Sequence, residues 1–351
     1  MKTLAAGPAV LLAGWTMAAV ALGASGEEIL KDPRLSAEDP FMGEYLGSGL
    51  ISSAGSPMAV EAKVWPVKEG YRAALMSPPC TRGPTKTRID LQGAVQGGKL
   101  VLAGKAGDAE WKAEVAEKEL TAKSSQGGNF NLSYSVRRPT TLGQEPPKGA
   151  MVLLPFEEGK PPSLNEWTNQ TWQALPDGSM VKGKGNTSTR RAFGDVRLHL
   201  EFSIPYEPNA GGQGRGNSGV YLQGRYEVQV LDSFGLVPAK GDCGAIYGIA
   251  VPKINACLPP LAWQTYDITF RAPRPKAGGK DWEPAVMTIR HNGILIHKNQ
   301  PVPRTTTAGV GGGPRERTPL MLQDHGHLVR YRNIWLLEGT GEPEEGEKAS
   351  E

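Results

Sequence analysis

The chain has 351 residues, enough for one large or two moderate domains that each bury a hydrophobic core. Glycine (45) and proline (29) make up about a fifth of it. That share lies below the roughly 25–30% typical of disordered chains, and the scarcity of long periodic runs favours β-structure. The 39 Lys and Arg residues against 36 Asp and Glu give a net charge of +3. Because no dense basic run with interleaved aromatic residues occurs, nucleic-acid binding has little support.

Residues 1–24 have the pattern of a secretory signal peptide. Lys2 supplies a positive charge, an apolar stretch runs over 4–22, and small residues follow it, which predicts cleavage near Ala24. We therefore expect an exported protein, periplasmic or extracellular, with no stable membrane insertion after cleavage. A retained membrane anchor is the alternative, which the glycines and the proline within the apolar stretch disfavour.

The following segments predict a lead, a small domain and a linker. Residues 25–40 are expected to be a disordered lead. Over 41–137 apolar and polar residues alternate in short runs, as from Phe130 to Val136, which predicts a small antiparallel β domain of unknown role. Residues 138–150 contain three prolines and no periodic pattern. We interpret them as a linker, and a cut there should release two independently folded pieces.

Residues 151–338 predict about ten short strands. Alternating patterns flank Gly224, so that Gly216–Gln223 and Arg225–Asp232 should be antiparallel neighbours. Asn292-Gly293 between two apolar runs is a strong hairpin signal, because both residues tolerate a positive φ. The pattern predicts an all-β fold, a sandwich of two antiparallel sheets. An acidic, disordered tail is expected over 339–351.

Polar side chains share one face of the hairpin around Gly224. The apolar residues of its two strands must face the core. The residues that alternate with them then share the opposite face: Tyr221, Gln223, Glu227 and Gln229. Several polar side chains on one sheet face form a wet, concave surface that suits a sugar. A solvated outer sheet face is the alternative interpretation.

A second polar cluster follows the apolar run that ends at Leu322. Gln323 and His325 should point the same way, with Asp324 opposite. The cluster also contains two arginines, Arg330 and Arg332. We expect Gln323 and His325 to converge with the polar hairpin residues on one concave face, with one of these arginines near its edge. The alternative is a hydrogen-bonding corner that closes the sheet.

The chain has three cysteines. Cys243 and Cys257 lie 14 residues apart in one Gly/Pro-rich stretch. In an exported protein such a pair favours a disulfide that ties down the loop. Two buried free thiols are the alternative. Cys80 is left over, and nothing near it marks a nucleophile.

Five ordered stretches of the chain resemble the 3-keto-disaccharide hydrolase family. They read NSGVYLQGRYEVQVLDS, CGAIYG, WQTYDITF, HNGILIH and LQDHGHLVRYRNIW. The likeness covers roughly residues 150–338 and leaves out the N-terminal β domain. It implies a concanavalin-like jelly-roll sandwich that is distantly related to laminarinase-type glycoside hydrolases.

The resemblance implies cleavage of glycosides whose sugar is oxidised to a ketone at C3. Such a ketone acidifies the C2–H and makes the glycosidic oxygen on C1 a leaving group, so a base can start an elimination that ends with addition of water. The reaction needs a general base, an electrophile for the enolate oxygen and a proton donor for the leaving group. Glu227 or His325 is the candidate base. Arg330, Arg332 or a divalent metal ion is the candidate electrophile, and no other cofactor is indicated.

One spacing bears on the reaction type. Laminarinase-type enzymes carry Glu-x-Asp-x-x-Glu on one strand, and here Glu227, Gln229 and Asp232 occupy those offsets. A separation of five residues needs a bulge to bring the outer two onto one face. The two replaced carboxylates count against ordinary two-carboxylate hydrolysis and favour elimination, which needs one base.

The resemblance and the patterns together give a set of candidate site residues and a carbohydrate as partner. The candidate catalytic residues are Glu227, His325 and Asp232. The candidate substrate-binding residues are Asn217, Tyr221, Gln223, Gln229, Gln323, Asp324, Arg330 and Arg332. Two other functions stay open: a non-catalytic, lectin-like carbohydrate-binding sandwich and a structural module of a surface assembly. Catalysis requires an ionisable base in a cleft, whereas a lectin requires only donors and aromatic platforms.

Overall fold

The structure is a computed structural model that describes residues 24–279 and 281–339. The predicted signal peptide and the predicted acidic tail lie outside these residues, apart from Ala24 and Gly339. Within the described part of the chain, no helix is long and apolar enough to cross a bilayer.

The segment over 25–40, predicted to be disordered, instead carries two short helices. They are α1 (Gly26–Leu30) and α2 (Pro33–Ser36). Ser25 starts α1 with a reciprocal capping box to Glu28, which satisfies backbone donors at the helix start. Ile29 and Leu35 are buried in a small apolar cluster with residues of the later domain. The prediction of disorder was wrong because two apolar side chains in a short polar segment give no periodic signal.

The small β domain is a closed antiparallel barrel of eight strands, in which the last strand pairs with the first. Its strands are β1 (Gly43–Leu50), β2 (Met58–Val67), β3 (Gly70–Ser77), β4 (Thr87–Gln96), β5 (Lys99–Ala106), β6 (Ala109–Ala116), β7 (Glu119–Ser124) and β8 (Asn129–Ser135). The alternate apolar residues fill its interior, where Trp111 stacks on Phe130 at 5.0 Å. A short 3₁₀ turn, Cys80–Arg82, connects β3 to β4. The interior is therefore a packed hydrophobic core.

The second domain is the predicted all-β sandwich. Its strands are β9 (Met151–Leu154), β10 (Gln173–Ala174), β11 (Met180–Val181), β12 (Thr187–Phe193), β13 (Val196–Ser203), β14 (Ser218–Leu222), β15 (Tyr226–Val230), β16 (Trp263–Arg271), β17 (Arg274–Pro275), β18 (Trp282–Glu283), β19 (Ala285–His291), β20 (Ile294–Val302), β21 (Thr318–Leu322) and β22 (Arg330–Glu338). The larger sheet has the order β10-β11-β22-β13-β16-β19-β20, with β9 paired to β22. The smaller sheet has the order β12-β21-β14-β15. A single apolar cluster lies between the two sheets.

Both hairpins expected from the sequence form. β14 and β15 are antiparallel neighbours around a turn in which Gln223 and Gly224 have φ values of 55° and 63°. β19 and β20 are joined by Asn292 and Gly293, whose φ values are 55° and 81°. Positive φ at both central residues matches the right-handed twist of the flanking strands.

Residues 138–150 form neither helix nor strand but are bound to the sandwich. The Thr141 hydroxyl donates to Asp267 at 2.7 Å, and the Gly143 amide donates to Glu201 at 2.6 Å. The segment therefore runs along the outer face of the larger sheet. Whether a cut here yields two independently folded pieces stays a prediction.

A buried ion cluster joins the barrel to the sandwich. Lys63 Nζ lies 3.6 Å from Glu44 and 3.8 Å from Glu61, and Arg137 pairs with Glu44 at 2.7 Å. Both cations also donate to backbone carbonyls of residues 255–257 in the sandwich, at 3.1–3.3 Å. Buried charges are tolerated only when they are paired and hydrogen-bonded, so separating the domains would expose or orphan this cluster.

Trp65 provides the apolar part of the same interface. Its side chain leaves the barrel and packs in the core cluster of the sandwich. Gly235 of the sandwich has a φ of 78°, and a Cβ atom there would lie 2.3 Å from two ring carbons of Trp65. The close approach of backbone to indole is therefore possible only with glycine at this position.

We predict that Gly235→Ala destabilises the protein by about 3 kcal/mol, because left-handed strain and overpacking against Trp65 add together. Gly107→Ala is the matched control, since Gly107 also has a positive φ (58°) but open space around its Cβ position. It should cost about 1 kcal/mol, from strain alone. Urea unfolding followed by tryptophan fluorescence measures both. Equal losses would contradict a role for the Trp65 contact.

Candidate active site

The polar face of the smaller sheet gathers side chains from three strands. Tyr221 lies opposite Glu227, and Gly219 lies opposite Gln229, in the regular pairing of β14 with β15. On the other side of β14, the backbone N–H of Gln323 donates to the Gly219 carbonyl at 3.0 Å. Since residues opposite each other on neighbouring strands point to the same face, these side chains converge as the sequence predicts.

Glu227 lies at the centre of this face with almost no exposure to solvent, at 3%. Gly219 makes room for it, because a Cβ there would lie 2.5 Å from Glu227 Oε1. The Tyr221 hydroxyl is its hydrogen-bond partner and in turn accepts from Gln323 Nε2 at 3.0 Å. Burial raises the pKa of Glu227 to about 7, although the hydrogen bond from Tyr221 lowers it in part. The carboxyl group is therefore poised to change its proton state near neutral pH.

The Gln229 side-chain amide can form a hydrogen bond with Glu227 in both its protonated and its deprotonated form. One of its two terminal atoms lies 2.9 Å from Glu227 Oε1. With nitrogen at that position the amide donates to the carboxylate, and with oxygen there it accepts from the carboxylic acid. A half-turn of one side chain therefore keeps the group hydrogen-bonded when it gains or loses a proton.

The face is more enclosed than the predicted wet, concave surface. Tyr221, Glu227 and Gln229 are all buried. Residues 244–247 run along the free edge of β15, where the Tyr247 amide donates to the Glu227 carbonyl at 3.1 Å. The loop before β14, which includes the 3₁₀ turn Gly212–Gly214, adds Asn217, whose amide donates to the Gln213 carbonyl at 2.8 Å. These covering segments exclude water, which is the reason that the pKa of Glu227 is raised.

Beyond Gln323, the loop between β21 and β22 carries two histidines. His325 is exposed, and its ring stacks on that of His327 with centroids 6.1 Å apart. His327 Nδ1 lies 2.6 Å from Glu207 Oε2, and the same oxygen accepts from the Gly216 amide at 2.7 Å. The sequence analysis missed this pair. The His-Gly-His run was visible, but Glu207 lies 120 residues away in a loop without a recognisable pattern.

Three candidate residues have structural roles outside this face. Gln223 lies in the hairpin turn and donates to the Glu316 carbonyl at 2.9 Å. Asp232 pairs with Arg215 at 3.0 Å, and β15 contains no bulge that would bring it beside Glu227. Asp324 accepts from the Gly185 amide at 2.8 Å and so ties one loop to another. The predictions that place Gln223 and Asp232 with Glu227 were wrong, because Gln223 lies in the turn and Asp232 is held by Arg215. Asp324, expected to point away from Gln323 and His325, is used to join two loops instead of binding a substrate.

The two arginines also lie elsewhere. The Tyr331 hydroxyl between them points through the core and donates to Ser218 at 2.7 Å. Arg330 and Arg332 therefore project from the outer face of the larger sheet, where they pair with Asp177 at 2.8 Å and with Glu201 at 2.7 Å. The predicted position of either arginine at the edge of the Glu227 face was wrong. Both arginines lie on β22, which belongs to the other sheet.

The predicted disulfide is absent, since Cys243 and Cys257 are buried free thiols. Cys243 Sγ lies 3.2 Å from the Tyr266 hydroxyl, which donates to the Gln229 carbonyl at 2.6 Å. The thiols therefore pack as small apolar groups beneath the sheet. The predicted bond was wrong although the two thiols are neighbours, since they form a hydrogen bond with each other rather than a disulfide.

A divalent metal ion does not fit the Glu227 face. Within the described residues, one group of three His, Cys, Asp or Glu side chains brings its ligand atoms close together, and it consists of Glu44, Glu61 and Cys80 at the barrel. The cations Lys63 and Arg137 already neutralise these carboxylates. The Glu227 face itself has one carboxylate among neutral amides and a phenol, whereas hard cations favour several oxygen ligands with more negative charge.

Comparison with known proteins gives a family for the second domain. Residues 153–337 match the family model of the 3-keto-alpha-glucoside-1,2-lyase-like domain. Two crystal structures of provisionally assigned glycosyl hydrolases from Parabacteroides distasonis ATCC 8503 are similar to the chain. One is 31% identical to this chain, and the match covers 54% of this chain and 84% of that structure's chain, with a TM-score of 0.47. The other is 18% identical, and the match covers 54% of this chain and 94% of that structure's chain, with a TM-score of 0.38. No curated protein matches the sequence.

We predict that Glu227→Gln makes the protein more stable at pH 8 and leaves it unchanged near pH 4. The carboxyl pKa is about 7 in the folded protein, above its value in the unfolded chain, so the unfolded state releases its proton first. Stability then falls as pH rises from about 4.5 to 7, by about 3 kcal/mol in total. The amide removes this loss. Unfolding free energies from pH 4 to 8 should converge at low pH and separate above it. Glu69→Gln, at an exposed position, is the control and should follow the parent, and parallel curves for Glu227→Gln would refute the raised pKa.

Proposed function

The chain belongs to the family of 3-keto-alpha-glucoside-1,2-lyase-like domains through residues 153–337, and we propose on that premise that it cleaves glycosides whose sugar carries a ketone at C3. This narrows a general carbohydrate-active role to one substrate class. The observation that supports it best is a single buried carboxyl group, Glu227, with a pKa of about 7.

The ketone determines what chemistry the enzyme must perform. It makes the C2–H acidic, because the carbanion formed at C2 is delocalised onto the ketone oxygen as an enolate. The bond between C1 and the glycosidic oxygen then lies one position away from that carbanion. When it breaks, the electron pair forms the C1=C2 double bond and the alcohol leaves. The step requires one base of suitable pKa on the sugar face that carries the C2 proton.

Glu227 has the properties of that base. A general base works best when its pKa lies near the operating pH, and burial has raised this carboxyl group into that range. The Gln229 amide can stabilise both the carboxylate and the acid that proton transfer produces. The room left by Gly219 fixes the position of the carboxyl group against β14. We assign C2 deprotonation to Glu227 on these grounds.

Elimination agrees better with this site than two-carboxylate hydrolysis does. Retaining and inverting glycosidases need two carboxyl groups on either side of the scissile bond. The second carboxyl group at the laminarinase-type spacing, Asp232, is held by Arg215 at 3.0 Å. Glu227 therefore acts without a carboxylate partner from its own strand.

We assign the stabilisation of the enolate oxygen to uncharged hydrogen-bond donors. Arg330 and Arg332 belong to the outer face of the larger sheet and pair there with carboxylates. The neutral donors close to Glu227 are the side-chain amides of Gln229 and Gln323, with Asn217 beside Gln229. Preorganised neutral donors in a site that excludes water stabilise developing negative charge effectively. Export of the enzyme is proposed as well, on the apolar stretch over 4–22.

We predict that Glu227→Gln loses at least ~100-fold in turnover of a 3-keto-glucoside while it still binds the substrate, in line with general-base contributions. For the parent, kcat/KM should fall about tenfold per pH unit below about 7, where the acid form accumulates. Glu145→Gln, an exposed change in the linker, serves as control and should behave like the parent. The unoxidised glucoside should not react with any of the three.

Product release followed by chromatography, together with calorimetric binding, separates the outcomes. Turnover of Glu227→Gln within about threefold of the parent would reject Glu227 as the base, since removal of a general base costs far more. Binding of the 3-keto-glucoside by the parent without cleavage would favour the lectin-like function instead.

A further inference from the structure

We propose that His327, held by Glu207, is the proton donor to the departing alcohol. The inference rests on the proposed function, since it assigns a second group in the same elimination. His327 and Glu207 form a histidine–carboxylate pair in the loops that carry Gln323 and Asn217.

The contact with Glu207 occupies one ring nitrogen of His327, and the other nitrogen can act on a substrate. Nδ1 lies 2.6 Å from Glu207 Oε2, and the side chains of His327 and Glu207 are only 12% and 9% exposed. A carboxylate accepts, so Nδ1 must carry the proton of that hydrogen bond. The carboxylate fixes the orientation of the ring, as in other histidine–carboxylate pairs. Nε2 is then the atom that can give a proton to a substrate.

Glu207 is itself fixed by the backbone. The oxygen that meets His327 also accepts from the Gly216 amide at 2.7 Å. Gly216 has a φ of 60°, and a Cβ there would lie 2.3 Å from Ile204, so this turn requires glycine. The carboxylate is thus anchored at the start of β14, one residue before Asn217.

The pair lies at the same end of the sheet as the amides around Glu227. His327 follows Gln323 in the loop that leaves β21, and the Gln323 carbonyl accepts from the Ser218 hydroxyl at 2.7 Å. Gly216, which holds Glu207, directly precedes Asn217 and Ser218 on β14. Glu207 is therefore tied to Gly216, two residues before β14, and His327 lies four residues after Gln323, which is bonded to Ser218 at the start of β14.

In the proposed elimination, Glu227 accepts one proton and His327 donates one. Glu227 takes the proton from C2, and the electron pair of that C–H bond becomes the C1=C2 double bond. The bond between C1 and the glycosidic oxygen breaks with its electron pair on oxygen, which takes the Nε2 proton of imidazolium His327. Glu227 ends as the acid and His327 as neutral imidazole, and exchange with water restores both. An alkoxide is a poor leaving group, so a positioned donor should contribute about 10²–10⁴-fold.

The leaving group provides the test. A 4-nitrophenolate ion departs without a proton, whereas methoxide needs one, so loss of the donor should affect only the second. We expect His327→Gln to lose ~100-fold or more in kcat/KM on the 3-keto methyl glucoside but less than about fivefold on the 3-keto 4-nitrophenyl glucoside of the same anomer. Glu145→Gln, the exposed change in the linker, is again the control and should leave both rates near the parent.

Glu207→Gln tests the positioning role. The ring loses the carboxylate that orients it, so the methyl substrate should again lose more activity than the 4-nitrophenyl substrate. A loss that is equal for both leaving groups in His327→Gln would overturn the proposal and assign the pair to loop structure, as would unchanged rates. If the parent cleaves neither substrate, the proposed function fails, and the donor assignment fails with it.

Discussion

One buried carboxyl group, Glu227, which has no cationic partner among the residues that the structure describes, is the constraint on which the rest of the site depends. Its pKa is set by burial and by the hydrogen bond from Tyr221, and a nearby guanidinium would return it to its ordinary range. A glycine opposite Gln229 leaves the volume that the carboxylate occupies. Polar groups that can both donate and accept surround it, so that the protein tolerates either proton state. This arrangement lowers stability above neutral pH, and such a cost is typical of functional sites.

The remainder of the molecule keeps that site rigid and dry. Beneath the sheet, the Tyr266 hydroxyl holds the Gln229 carbonyl at 2.6 Å, and a packed apolar core separates the two sheets. The barrel is attached to the sandwich through Trp65 and a buried ion cluster. Its own interior is filled with side chains. The barrel therefore acts as a support that anchors residues 235 and 255–257, the loops that follow β15.

The fold could be predicted from the sequence because alternation and turn chemistry are local signals. The polar identity of the Glu227 face followed from the same alternation. The neighbours of each side chain could not be predicted, because they depend on which sheet a strand joins. Arg330 lies on the larger sheet, where it pairs with Asp177, and not beside Glu227. Asp232 is held by Arg215. Glu207 and His327 meet over 120 residues, a distance that no sequence pattern spans.

The central claim is that the reaction begins with removal of the C2 proton by Glu227. The most direct measurement compares the parent enzyme on a 3-keto-glucoside with hydrogen or deuterium at C2. The account predicts a primary isotope effect of several-fold on kcat/KM, together with deuterium exchange at C2 in recovered substrate whenever departure of the alcohol is slower than deprotonation. Cleavage that is insensitive to deuterium at C2, with no exchange at that carbon, would contradict it and would mean that the bond at C1 breaks without an enolate.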